Sequence, residues 1–388
     1  MRSKIITVFT FILTFGMLNI YGGASLNGHL DYYGHLLPTI YDQELHNLNF
    51  TTLSQKEVSS KLEDFRNSNL TRSTQRISSQ ANKFKMDDLA VVLLADKLSE
   101  SITRDTESNE QVFIKYLLLK DLGYDVILTR TGNTLNCLGN LSFSPGRFVY
   151  IKYNNKTYKD LNFKNRVNKG THLIFKDSQI THKTILRNKY ATPLLNAKIK
   201  SKSFQFIDYS DTFDFEAISN LSKTEYLADI PMYKIGQDFT HLSLSDEINQ
   251  SIINRLRFMV DNRSNPQAVK FLLAFVQQVT PYGSDYSKYG EERYYYPEET
   301  IMATSADCED KAILLAYLCD KLLGLHAVGL YFENDEHLSI AIEIPGYNPT
   351  GSFKYAGKTY VSCEPTAQVP VLTQSQFELT RVTEVIPL

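Results

Sequence analysis

The sequence predicts an α+β protein in which a helix packs on a small antiparallel sheet, the unit occurring twice with a β-rich connector between the copies. Three observations predict it. The amphipathic run Lys311-Ala312-Ile313-Leu314-Leu315-Ala316-Tyr317-Leu318 stops at Gly324, the residue type that closes helices. The stretch from His337 to Ile344 alternates in hydropathy as a strand does, and Lys358 to Glu364 reads as a second strand ended by Pro365. The third observation is an internal echo. Tyr116-Leu117-Leu118-Leu119-Lys120-Asp121-Leu122-Gly123 repeats the helix end Tyr317-Leu318-Cys319-Asp320-Lys321-Leu322-Leu323-Gly324 in nearly the same letters, and apolar strands follow both.

Taken in order, the chain opens with Arg2 and Lys4, a largely apolar stretch from Ile5 to Ile20, and the small residues Gly22-Gly23-Ala24-Ser25. This is the pattern of a secretory signal over residues 1–25, with a membrane anchor as the competing reading. The mature chain is then expected to be periplasmic or secreted, with no membrane span once the signal is removed. The first unit is expected over 26–172. Its turn Tyr153-Asn154-Asn155-Lys156-Thr157-Tyr158 echoes Tyr355-Ala356-Gly357-Lys358-Thr359-Tyr360, and Asn-Asn and Ala-Gly both suit a tight hairpin. Sliding one copy onto the other sets Glu107 opposite Cys308, Asn136 opposite His337 and Asn162 opposite Glu364. The first copy would therefore keep the scaffold without the chemistry.

The connector is expected over 173–245, with β-like runs at Phe204 to Ile207, at Tyr226-Leu227 and from Ile230 to Tyr233. Its lysines at 198 to 202 read as a solvated face. The second unit is expected over 246–388. Asn265 caps its first long helix and Pro266 takes the first helical position. The aromatic and acidic loop Tyr294-Tyr295-Tyr296-Pro297-Glu298-Glu299 is read either as cleft lining or as a packed surface loop.

A formal net charge of −2 and a pI near 6.5 argue against a nucleic-acid partner, which leaves a basic footprint. The four cysteines, Cys137, Cys308, Cys319 and Cys363, allow two bridges in an oxidising compartment. A bridge through Cys308 would abolish a thiolate there, so the two readings compete.

Chemistry concentrates at Cys308, His337 and Glu364. Asp307 is placed to cap a helix and Cys308 in its first turn, where free N–H groups favour the thiolate of a side chain whose ordinary pKa is about 8.5. Asp307, Glu309 and Asp310 act the other way. If the two strands are neighbours, Glu364 can hold one ring nitrogen of His337 and leave the other for the sulfur.

Asp-Cys-Glu-Asp-Lys-Ala at the helix start, the His337 strand and the strand end Cys363-Glu364-Pro365-Thr366 together resemble the transglutaminase-like superfamily of papain-type cysteine enzymes. The likeness covers roughly Pro266 to Thr366 and includes Phe275-Val276-Gln277 and the stretch from Tyr289 to Glu299. The resemblance implies Cys308 as nucleophile, His337 as general base and then acid, Glu364 as orienting carboxylate and Gln277 as an oxyanion donor. Many members carry Asp where this chain has Glu364. The resemblance further implies attack on an amide of a protein or peptide substrate through a thioester, released to water or to an amine, with no metal and no cofactor.

Overall fold

The structure is a computed structural model; it describes residues 25–66, 70–105, 108–143, 150–162, 170–188, 192–231, 236–289, 292–373, 375 and 377–388. Residues 1–24, which carry the signal reading, and Glu107 lie outside the described residues.

The described chain opens with the hairpin β1 (Ser25–Tyr32) and β2 (His35–Asp42), which turns through Tyr33 and Gly34 at positive φ. Helices α1 (Gln43–His46), α2 (Gln55–Arg66), α3 (Thr71–Lys83), α4 (Asp88–Thr103) and α5 (Asn109–Asp121) follow. Asp87 and Ser108 cap α4 and α5 by accepting from Ala90 N and Gln111 N. Then come β3 (Val126–Thr131), β4 (Thr134–Asn140), β5 (Tyr150–Tyr153), β6 (Lys156–Asp160) and β7 (Leu173–Ile174), paired antiparallel in the order β5-β6-β4-β3-β7.

A long hairpin, β8 (Ile199–Asp208) and β9 (Asp211–Asn220), leads into α6 (Leu221–Asp229) and α7 (Gln237–Thr240). Helices α8 (Asp246–Ile248) and α9 (Asn254–Val260) are joined by a π-helical turn, Asn249–Ile253. The remaining elements are α10 (Asn265–Val279), α11 (Asp285–Tyr289), α12 (Pro297–Met302), α13 (Cys308–Leu323), β10 (Ala327–Phe332), β11 (His337–Ile342), β12 (Phe353–Tyr355), β13 (Lys358–Cys363) and β14 (Glu384–Pro387). Their sheet runs β12-β13-β11-β10-β14, the same order as the first sheet, and antiparallel throughout. The chain is thus a mixed α+β protein with two antiparallel sheets of one connectivity. In each, a helix that enters a Gly-terminated turn packs on the central strands, α5 on β4 and α13 on β11.

Local chemistry explains the matching elements. Gly324 closes α13 at φ 65°, and Leu325 N returns to Cys319 O at 3.1 Å, satisfying a carbonyl the helix leaves unpaired. The turns Asn154-Asn155 and Ala356-Gly357 all sit at positive φ, as two-residue hairpins demand. Leu338, Ile340 and Ile342 face the core shared with α10 and α13, while Ala341 joins Val328, Leu330, Phe332 and Tyr360 on the other side. That second face is covered as well, so every residue of β11 is buried.

Several expectations are corrected. The first hairpin closes on Thr131↔Thr134, but the second closes on Phe332↔His337, two residues longer. His337 therefore stands opposite Thr134, and Asn136 stands opposite Ser339. Asn162 keeps its place opposite Glu364, because Asp160 pairs Leu138 as Ser362 pairs Ala341. The boundary at 172 is too early: β7 is the edge of the first sheet, and Lys183 and Ile185 bridge Tyr124 and Leu141. Tyr226 and Leu227 are buried in helix α6, not in a strand. The cap of α10 is Ser264, whose backbone N–H and hydroxyl both reach Gln267 Oε1, so Asn265 is the first helical residue and Pro266 the second.

The connector hairpin belongs to the core of the second unit. Phe204, Phe206 and Phe215 pack on Phe271 and Phe275 of α10. The lysine cluster is not uniformly solvated. Lys198 pairs with Asp31 at 2.7 Å and Lys200 is exposed. Lys202 turns inward and donates to Val279 O, Thr280 Oγ1, Ile301 O and Ala303 O at 2.8–3.2 Å. Removing it leaves buried acceptors unpaired, at about 1–3 kcal/mol apiece at most. Lys202→Ala is expected to lower urea-unfolding stability by about 2–4 kcal/mol, and Lys200→Ala to stay within about 0.5 kcal/mol. Equal effects of the two would show that the inward hydrogen bonds carry no stability.

Candidate active site

Helix α13 begins at Cys308 because Asp307 caps it, its Oδ1 accepting from Asp310 N at 3.3 Å. The approach to that start is fixed by short backbone pairing: Ala306 N donates to Pro281 O at 3.0 Å and Gly283 N to Ala306 O at 3.1 Å. A Cβ on Gly283 would stand 2.6 Å from Ser305 Cβ, so only glycine admits this approach. The other end of the contact is Lys311, 1% exposed, whose ammonium donates to the carbonyls of Val276, Gln277 and Thr280 at 3.0, 3.3 and 2.6 Å. Burial pushes the amines of Lys311 and Lys202 down to about 8.

His337 opens β11 and Glu364 follows β13, so neighbouring strands bring them together: Nε2 lies 3.1 Å from Oε2, with both side chains buried. Burial acts to raise the Glu364 pKa, but the bonds from His337 and Thr366 outweigh it and hold the group below its ordinary value. An ionised carboxylate only accepts, which assigns the ring proton to Nε2 and leaves Nδ1 for proton transfer. Phe332 and Phe377 pack on the imidazole with centroids at 6.2 and 5.5 Å.

Cys308 is 4% exposed, and its sulfur lies against the backbone N–H of Leu338, the residue after His337. Its thiol donates to Glu309 Oε2 at 2.9 Å rather than to the His337 ring. Burial first, then Glu309 and Asp307, raise the thiol pKa; the Leu338 N–H works against them. The structure thus brings His337 and Glu364 into a bonded pair and sets Cys308 beside them in a protonated, carboxylate-bonded state.

Gln277 lies in the last turn of α10. Its Nε2 donates to Glu364 O at 2.9 Å and to Val369 O at 3.3 Å. With both amide hydrogens committed, Gln277 holds the Glu364 backbone in this structure, and the oxyanion role expected of it would require one of those bonds to be exchanged. Of the stretch Tyr294–Glu299, Tyr295, Tyr296, Glu298 and Glu299 are buried, Pro297 opens α12, Tyr296 joins the first unit's core, and Tyr295 and Glu299 line a cavity beside Arg293 and Met302. Tyr295 N donates to Asp310 Oδ1 at 2.7 Å. Four free, buried cysteines leave the disulfide alternative without a bridge among the described residues.

Two residues unmarked in the sequence, Asp285 and Glu292, join Asp307 at the site. Asp285, Glu292 and Asp307 set carboxylate oxygens within 4.8 Å of one another, a set that could offer oxygen ligands to a hard cation. They come from one stretch before α13, and their gathering follows no ligand-spacing motif. Asp310 Oδ2 is buried without a hydrogen-bond partner. Burial raises Asp310 and Asp285, and pushes Asp307 up to about 8 with Glu309 and Asp285 adding to the shift. Apart from this site, a cavity of about 470 Å³ in the first unit is lined by Tyr116, Asp125, Lys156, Tyr158 and Asp177. Its carboxylates are already engaged, Asp125 by Lys156 and Tyr158 and Asp177 by Tyr116. No helix among the described residues is long and apolar enough to cross a membrane. Comparison with family models, with curated proteins and with solved structures finds no match to this chain.

The raised Asp307 has a consequence for stability. A carboxyl that titrates near 8 when folded and near 3.9 when unfolded stabilises the fold while both states are protonated, and loses that contribution as pH rises through 8. Asp307→Asn keeps a capping oxygen and removes the titration. Wild type is expected to lose about 2–4 kcal/mol more than Asp307→Asn between pH 4 and pH 8.5 in urea titrations. Parallel pH profiles would show that Asp307 ionises normally.

Proposed function

We propose that this chain is an exported cysteine hydrolase of the transglutaminase-like, papain-type kind, acting on an amide of a protein or peptide substrate. The observation that carries the reading is the buried His337–Glu364 pair at 3.1 Å together with the Cys308 sulfur, which lies against the N–H of Leu338, next in the chain after His337. Cys308 is the nucleophile. Its proton passes to Nδ1 of His337 once the sulfur leaves Glu309, while Glu364 holds the ring through Nε2 and stabilises the imidazolium. The thiolate attacks the amide carbonyl, the imidazolium protonates the leaving amine, and water releases the acid from the thioester. An amine in place of water would make the same site an acyl transferase. The likeness in strand order between the two sheets supports an N-terminal copy of the same domain that lacks the chemistry, with Thr134 where His337 stands.

One observation favours a second reading, a binding or scaffolding protein: the thiol is bonded to a carboxylate that keeps it protonated. The two readings separate by alkylation of Cys308. Replacing the adjacent carboxylate removes a charge and a hydrogen bond that both oppose the thiolate, so Glu309→Gln is expected to label with iodoacetamide at pH 6.5 about 10–100-fold faster than wild type. Adding His337→Ala should abolish that gain. If His337→Ala changes the rate in neither background, the imidazole does not act on the thiol and the scaffold reading takes over.

A further inference from the structure

We propose that Thr366 is the positioning residue for the orienting carboxylate: its hydroxyl and backbone N–H fix Oε1 of Glu364, so that Oε2 is the oxygen presented to His337. The inference rests on the Cys308-His337-Glu364 reading and names the residue that makes a glutamate serviceable there.

Glutamate carries one more rotatable bond than aspartate, and each free torsion blurs where the carboxylate stands. Here the extra freedom is removed from both ends. Thr366 Oγ1 donates to Oε1 at 2.5 Å and Thr366 N donates to the same oxygen at 3.2 Å. Across the carboxylate, Oε2 takes His337 Nε2 at 3.1 Å. Behind it, the Glu364 carbonyl accepts from Gln277 Nε2 at 2.9 Å and from Ala367 N at 3.2 Å. The second of these closes a four-residue turn with Pro365 at its second position, where a fixed φ suits the turn.

The order Glu-Pro-Thr thus has a physical content. Proline sets the turn, the turn carries Thr366 back beside the side chain two residues earlier, and the β-branched threonine holds few χ1 states. The turn itself is closed by backbone atoms and proline and does not need the hydroxyl. What the hydroxyl adds is a charge-assisted bond to the carboxylate, the stronger class of hydrogen bond.

The test is carboxyl-carbon NMR of Glu364 against pH, with the His337 ring followed by proton–nitrogen correlation, in wild type, Thr366→Val and Thr366→Ser. Glu364→Gln and His337→Ala assign the signals. Thr366→Val is expected to move the Glu364 midpoint up by about one pH unit and to broaden or lose the Nε2–H signal, with the urea midpoint unchanged at about pH 3 and lowered at about pH 7 only by what that shift implies. Thr366→Ser should restore both. A Glu364 midpoint and a His337 signal that stay fixed in Thr366→Val would overturn the proposal, as would a serine that restores neither. Alkylation of Cys308 is read separately. If Thr366→Val moves Glu364 while His337→Ala leaves alkylation untouched, the positioning stands and the hydrolase reading falls.

Discussion

The site depends on how the end of α10 meets the start of α13. The last carbonyls of a helix have no partner within it, and at this end Val276, Val279 and the capping Thr280 are buried. Two ammonium groups resolve this: Lys311 takes Val276, Gln277 and Thr280, and Lys202 takes Val279. Cations at a helix C-terminus also complement its dipole. Because Lys311 is three residues past Cys308, the bond that satisfies one helix fixes where the other presents its thiol. Gln277, held in the same turn, reaches Glu364 O. Cys308 and Glu364 are therefore both located from a single helix end.

Electrostatics at the thiol set opposing effects against each other. The first turn of α13 and the Leu338 N–H favour an anion, whereas burial, Glu309 and Asp307 oppose it, and in the resting arrangement the opposition wins. The surrounding carboxyls answer the same pressure by holding protons, Asp307 and Asp310 foremost. This leaves the buried cluster less charged than its letters suggest. His337 and Glu364 lie under a different balance, in which mutual bonding outweighs burial and keeps the carboxylate ionised. Asp307 and Asp310 on one side and Glu364 on the other are thus driven to opposite states by their partners.

The two sheets share an order but not a filling. Where α13 lays Ala312, Leu315 and Ala316 in an apolar core, α5 buries Gln111 and Lys115, both bonded to Asp96 Oδ1 at 2.9 and 2.7 Å. Lys115 also donates to Leu161 O at 2.7 Å, tying helix to sheet. Asp160 is pushed up to about 7 by burial. A polar network can hold the same helix on the same sheet provided its members are satisfied. Strand order is therefore a property of backbone pairing and connection length, and it survives replacement of both the core and the residues at the site.

Much of this was legible in the letters. Periodicity, Gly324, Asp307 as a cap and the turns Asn154-Asn155 and Ala356-Gly357 follow from rules that act over a few residues, and the pairing of His337 with Glu364 was legible on the condition that their strands are neighbours. The hairpin length that displaces Asn136 from His337, the helix around Tyr226 and the inward turn of Lys202 did not follow, because pattern does not count turn residues or choose a long side chain's acceptor. Thr366, the bond from Cys308 to Glu309, the gathering of Asp285, Glu292 and Asp307, and the commitment of Gln277 to Glu364 O were likewise decided only in three dimensions. By itself the sequence determined the helix that ends at Gly324, the strands at His337 and Lys358, and the placing of Cys308, His337 and Glu364 at their ends. Tertiary structure decided their protonation and partners, since both depend on burial and on carbonyls and carboxylates contributed by distant parts of the chain.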